Sequence, residues 1–157
     1  MAVLNSAPVI DGGLIDHLDG PSGREFARSW GGTSTGEELV QLRSARNALQ
    51  SVIRGDQPSG IEELAGIVEA AVRTPRVTRD GVVWELEAPD DDRLAVGVVL
   101  AWSSVVEEFP GRLRACANSE CNLFLVDHSR PGTARWCSMA RCGNRMKART
   151  HARRPKV

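Results

Sequence analysis

The sequence has no tyrosine, only two lysines (Lys147 and Lys156), and no cysteine before residue 116. No run of 18 or more apolar residues is present, which excludes a transmembrane helix. The opening Met1-Ala2-Val3-Leu4-Asn5-Ser6 has neither a basic segment nor a long apolar stretch, so no secretory leader is expected. No phosphate-binding or dinucleotide fingerprint occurs, and the pairs Gly12-Gly13 and Gly31-Gly32 read as turns. Asp11, Asp16, His17 and Asp19 read as a solvated acidic loop, because no third partner orients them for acid–base chemistry. The chain is therefore not expected to be an enzyme. What is present, 41% hydrophobic and 25% charged residues in a chain of 157, suffices for a buried core and argues against wholesale disorder, collagen or coiled coil.

The net charge of zero hides a strong asymmetry. Residues 1–109 hold 9 Arg, no Lys and 18 acids, for −9. Residues 110–157 hold 11 Arg and Lys against Glu120 and Asp127 alone, for +9. A basic segment of this kind is an electrostatic footprint for a polyanion, most often nucleic acid. Its plainer alternative is a solubilising tail, or a segment docked on the acidic part of its own chain. The excess of Arg over Lys also holds in the acidic part, so it does not by itself mark phosphate recognition.

All four cysteines fall in this basic segment, as Cys116-x4-Cys121-x15-Cys137-x4-Cys142. Two close pairs joined by a loop of this length can aim four sulfurs at one point, which is how a chain builds a tetrahedral thiolate site for Zn²⁺. Disulfides are disfavoured in a chain with no secretory leader, and neither pair has the Cys-x-x-Cys form of a redox centre. His128 in the intervening loop is an alternative ligand. A closed four-cysteine site leaves no open position for catalysis; its role is to hold together a segment too small to fold by burial alone.

After the fourth cysteine comes Gly143, read as a turn that lets amides approach the sulfurs, then Asn144 as a helix N-cap with adenine readout as its alternative, then a helix to Pro155. Arg141, Arg145, Arg149 and Arg153 recur every fourth residue and form a basic stripe, widened by Lys147 and Arg154. Arg141, Asn144, Arg145, Lys147, Arg149 and Arg153 are the candidate nucleic-acid contacts. Trp136 is expected to shield the metal, Phe124 and Leu125 to form a small core with it, and Met146 and Ala148 to pack toward the metal.

Cys116-Ala117-Asn118-Ser119-Glu120-Cys121, Asp127-His128-Ser129-Arg130 and Arg135-Trp136-Cys137-Ser138-Met139-Ala140-Arg141-Cys142-Gly143-Asn144-Arg145 together resemble the CGNR zinc finger, named for the tetrapeptide at 142–145. The likeness covers about residues 111–154. It implies zinc on the four cysteines and a DNA-binding bacterial transcription regulator linked to stress or to a pathway. Proteins with this finger usually carry an N-terminal domain of the ABATE type, which residues 1–110 resemble more loosely; the Asp-Phe-Val-Asn-Thr segment that usually opens it is not present.

In the acidic part, Thr35-x-x-Glu38 opens a helix over 36–54 with Leu39, Leu42, Leu49 and Ile53 on one face and Gly55 as its stop. Ser59-x-x-Glu62 opens a second over 60–73, with Ile61, Leu64, Ile67, Val68, Ala71 and Val72 inward and Pro75 beyond its end. Val77-Thr78 and Val82–Leu86 read as a hairpin on an Asp80-Gly81 turn. A helix over 92–109 follows, with Leu94, Val98, Ala101, Trp102, Val105 and Phe109 on its apolar face. A short helix is placed at 24–30, and Trp30, Trp84 and Trp102 are placed in the core.

The resulting expectation is a mainly α protein with one small hairpin, residues 1–110 forming an acidic regulatory domain and residues 111–157 a finger ending in a basic helix. Its partners would be structural Zn²⁺, DNA, a small-molecule effector at the N-terminal domain and a second copy of itself, with no membrane. It would act in the bacterial cytoplasm, at the nucleoid. The alternative is a zinc-stabilised RNA-binding or protein-docking module.

Overall fold

The computed structural model describes residues 1–55 and 59–152. Its elements are β1 (Val9–Ile10), β2 (Gly13–Leu14), α1 (Gly20–Ser29), α2 (Gly36–Arg54), α3 (Ser59–Val68), β3 (Val72–Thr78), β4 (Gly81–Glu87), α4 (Arg93–Glu108), β5 (Leu113–Ala115), β6 (Phe124–Val126), a π-helical turn (Met139–Gly143) and α5 (Asn144–Ala152). Helix accounts for 46% and strand for 16% of the described residues, so "mainly α" is loose. Among the described residues, three antiparallel strand pairs stand where the sequence pattern marks one. No helix is long and apolar enough to cross a membrane, among the described residues. The chain divides into two compact units, His17–Ser104 and a second formed by Met1–Asp16 with Val105–Val157.

In the first unit, α2 follows its end signals. The Thr35 hydroxyl accepts from the Glu38 amide at 3.0 Å, and Gly55 closes the helix at φ 76°, a left-handed value that favours glycine. The capping box is altered in one respect. The Glu38 carboxylate is fully buried and accepts from the amides of Thr33 (3.1 Å) and Ser34 (2.7 Å), pinning the turn that precedes the helix. That turn has room for no side chain at Gly32, where a Cβ would stand 2.3 Å from a Glu38 oxygen and 2.6 Å from Leu94 Cδ1. The hydroxyls of Thr33 and Thr35 both donate to Asp91, at 2.6 and 2.7 Å, which holds the Asp91 carboxyl below its ordinary pKa. Leu18, Ala27, Leu39, Leu42, Ala45, Ala48, Leu49, Leu64, Ala95, Val96 and Val99 are buried.

Four sequence expectations fail here. Helix α3 stops at Val68, and Val72 and Pro75 lie in β3, with Pro75 opposite Trp84. The β-branched run Val72, Thr74, Val77 and Thr78 suits a pleated strand better than a helix, and the free edge tolerates proline. The β3–β4 turn is centred on Arg79-Asp80, Gly81 being the first residue of the returning strand at φ 124°. The face of α4 that is buried is Ala95, Val96 and Val99, offset from the one the largest side chains marked; Ala101 is exposed, and Leu94, Val98, Trp102 and Val105 are half-buried. Trp30 and Trp84, at 63% and 53% exposure, are not core residues.

The second unit contains β1–β2, β5–β6 and the basic C-terminal helix. Asp11 (φ 51°) and Gly12 (φ 83°) form a two-residue turn with both central residues left-handed, the Asp-Gly hairpin signature. Two asparagine side chains fasten this N-terminal segment to residue 122 and to Phe124, the first residue of β6. Asn5 donates to the Phe124 carbonyl (3.0 Å) and accepts from the Phe124 amide (2.8 Å). Asn122 donates to the Ala7 carbonyl (2.6 Å) and accepts from the Val9 amide (3.0 Å). Each amide side chain thus satisfies one backbone donor and one acceptor across the contact. Phe124 and Leu125, both buried, supply the expected core of the finger.

Candidate metal centre and its basic face

Cys116 directly follows β5, and its amide donates to Leu123 O at 2.8 Å. The knuckle between is turned by Asn118, whose carbonyl accepts from the Cys121 amide at 2.9 Å. Ala117 N donates to Arg135 O at 2.8 Å, which brings the second cysteine pair back beside the first. The four Sγ atoms lie within 4.8 Å of one another. The Cys121–Cys137 and Cys137–Cys142 sulfurs are 3.7 Å apart. Zn–S bonds of about 2.3 Å in a tetrahedron put sulfurs about 3.8 Å apart, so the cluster fits zinc. Two donors already point at sulfur: Cys137 N to Cys116 Sγ and Asn118 Nδ2 to Cys142 Sγ, each at 3.4 Å.

Burial pushes the Cys142 thiol up, but the Asn118 amide and the neighbouring thiols outweigh it and hold it below its ordinary pKa. Cys121 and Cys137 are raised above theirs, burial being the largest cause. Four clustered sulfurs become thiolates together only against a cation, and a bound divalent ion supplies that charge. The cluster is a structural zinc site with no protein ligand missing. His128, the alternative ligand, is not part of it; its ring meets Phe109 edge-on at 4.9 Å.

The loop between the pairs is held by Asp127, a residue that sequence patterning left unexplained. Its side chain is fully buried and accepts from the Ser129 hydroxyl (2.6 Å), the Ser129 amide (2.9 Å), the Ala134 amide (2.9 Å) and the Arg114 guanidinium. The Ser129 hydroxyl is the strongest cause holding its pKa at about 2, with burial opposing and the backbone amides and Arg114 assisting. The loop that lets the two cysteine pairs face each other is therefore organised around one carboxylate.

Beyond Cys137 the chain enters a π-helical turn. Ser138, not Asn144, is the cap: its hydroxyl accepts from the Arg141 amide at 3.1 Å. Asn144 is helical (φ −67°, ψ −40°) and exposed. The Gly143 amide donates to Ser138 O at 3.0 Å and reaches no sulfur. What its missing Cβ permits is close packing, since a Cβ there would stand 2.6 Å from Met139 Sδ and 3.3 Å from Trp136 Cδ1. Trp136 is half-buried against this turn, with Arg135 at 5.1 Å from its ring. Ala148 is exposed and does not pack toward the metal.

Arg141, Asn144, Arg145, Lys147 and Arg149 are all exposed, on the π turn and α5. Arg149 is engaged, its guanidinium donating to Glu120 Oε1 at 2.7 Å. Arg153, with Arg154 and Pro155, lies outside the described residues. Arg141 and Arg145 line a groove of about 430 Å³ together with Val9–Gly12, Asn118, Glu120 and three of the cysteines. Asn5, Asn118 and Asn122 are site-building residues that the sequence reading passed over. No periodicity marks them, because their work is done on backbone groups over 100 residues away or on a sulfur.

Residues 112–155 match the CGNR zinc finger family. No curated protein matches the chain.

Proposed function

We propose that the protein is a zinc-dependent DNA-binding transcription regulator, whose finger presents Arg141, Arg145 and Lys147 to the phosphate backbone. The observation that carries this reading is the +9 charge of residues 110–157, with these three exposed cations projecting from the π turn that holds the fourth cysteine and from the helix that follows it. No ion pair engages them among the described residues, whereas Arg149 is tied to Glu120. Cations without partners gain most from phosphate, which they meet with little loss of existing contacts. Zinc contributes rigidity: it fixes the cysteine knuckles, and through Cys142 the start of the basic helix. The His17–Ser104 unit, the core of an ABATE-like regulatory domain, is proposed to sense a small molecule or to bring two copies together at the nucleoid.

The test is fluorescence anisotropy of the zinc-loaded full chain with labelled duplex DNA, single-stranded DNA and RNA. Three phosphate contacts predict a slope of log K against log salt of about −3. Arg145→Ala should weaken duplex binding and flatten that slope, and Arg149→Ala should do so less. Stronger binding to RNA than to duplex would turn the reading to the RNA-binding alternative. Absence of binding to any nucleic acid at low salt would end both.

A further inference from the structure

The N-terminal hairpin belongs to the finger, and its tip faces the basic residues. Asn122, which fastens the base of the hairpin, directly follows the zinc ligand Cys121. Val9, Ile10, Asp11 and Gly12 form one side of the groove that Arg141 and Arg145 line on the other. The hairpin is apolar yet uncovered: Val9, Ile10, Leu14 and Ile15 are all exposed. A two-stranded ribbon this short has no stability of its own; the asparagine clamps hold it in place without covering its tip.

We infer that the β1–β2 hairpin forms the second wall of the DNA-binding surface, so that one duplex backbone strand seats in the groove between Ile10 and the Arg141–Arg145 pair. This rests on the DNA-binding reading and adds the element that completes it. Charge selects the occupant. Arg141 and Arg145 have no ion-pair partner among the described residues, while Glu120, the acid on the same side, is already neutralised by Arg149. Cys121, Cys137 and Cys142 also line the groove, so its floor is the zinc site, and the sugar and its phosphate seat at its mouth between Ile10 and the two guanidinium groups. The phosphate meets the guanidinium groups, and Ile10 lies against the apolar face of the sugar. Asp11 at the tip is, among the described residues, the one unpaired acid on the groove's lip, and it opposes the strand.

The experiment uses the zinc-loaded full chain and a labelled mixed-sequence duplex at about 50 mM salt. Ile10→Glu should weaken binding by about tenfold, because it sets a charge against the seated phosphate. Leu14→Glu carries the same charge on the same hairpin but outside the groove, and should change affinity by about twofold at most. Asp11→Asn should tighten binding by about threefold. All three should retain stoichiometric zinc. Equal losses for Ile10→Glu and Leu14→Glu, or no change for Ile10→Glu and Asp11→Asn, would overturn the inference while leaving the basic face as the binding site. Full binding by an Arg141→Ala, Arg145→Ala double variant would instead overturn the DNA-binding reading, and this inference with it.

Discussion

Replacing Asn5 by alanine tests whether the first residues of the chain are part of the zinc module. Asn5 makes two hydrogen bonds, to the amide and the carbonyl of Phe124, across a separation of 119 residues. Phe124 is 1% exposed, so both bonds are lost from a buried strand. Each bond contributes about 1 kcal/mol net, and an unsatisfied buried group costs about 1–3 kcal/mol. Water can follow as the N-terminal segment lifts, which limits the total to about 2–3 kcal/mol. If the metal-free finger is unfolded, that energy appears directly in zinc affinity, as a loss of roughly 30- to 100-fold. The assay is competition with a chromogenic chelator, with hydrogen exchange of the β5–β6 amides as the local readout. Asn5→Asp, which keeps the acceptor but sets an oxygen against the Phe124 carbonyl, should do no better than alanine. Zinc affinity and exchange identical to wild type would refute the reasoning and return the N-terminal segment to the status of a tether.

Cys137→Ser should abolish stoichiometric zinc and the order of residues 113–152, while most far-ultraviolet helical signal persists, since α1, α2 and α3 lie in the His17–Ser104 unit; loss of nearly all helicity would contradict this. Gly32→Ala should destabilise that unit by about 1–3 kcal/mol in urea denaturation, through collision with the Glu38 carboxylate and Leu94; an unchanged midpoint would mean that the turn yields. Asp127→Asn should lower the thermal midpoint of the finger. The wild-type carboxyl is held at about 2, below its ordinary 3.8, so its contribution is complete above about pH 5 and is lost as pH falls toward 2. The gap between wild type and variant should therefore stay constant from pH 7.5 to 5, and narrowing within that window would contradict the assignment.

Local signals were readable wherever the determinants are close in sequence. Helix α2 begins at Thr35 and ends before Gly55 because a hydroxyl three residues from an amide and a left-handed glycine act within one turn. The four cysteines declare their site because metal geometry imposes their spacing. Apolar spacing failed where two periods overlap: Val72 continues the α3 pattern yet opens strand β3, since the β-branched residues of 72–78 gain more across from Gly81–Glu87 than in further helical turns. Asn144 has the chemistry of a cap, but Ser138 precedes it with the same chemistry, and the π turn begins there.

The sequence by itself determined the zinc ligands, the concentration of positive charge around them and the principal helices, because each depends on residue type and short spacing. Tertiary structure alone decided that residues 1–16 complete the finger, that Asp127 organises its loop, and which cations stay without a partner. Those outcomes turn on single hydrogen bonds and ion pairs between distant segments: Asn5 with Phe124, Asn122 with Ala7 and Val9, Glu120 with Arg149. Such bonds are made by polar groups that follow no hydrophobic period, so their partners exist only once the chain has folded.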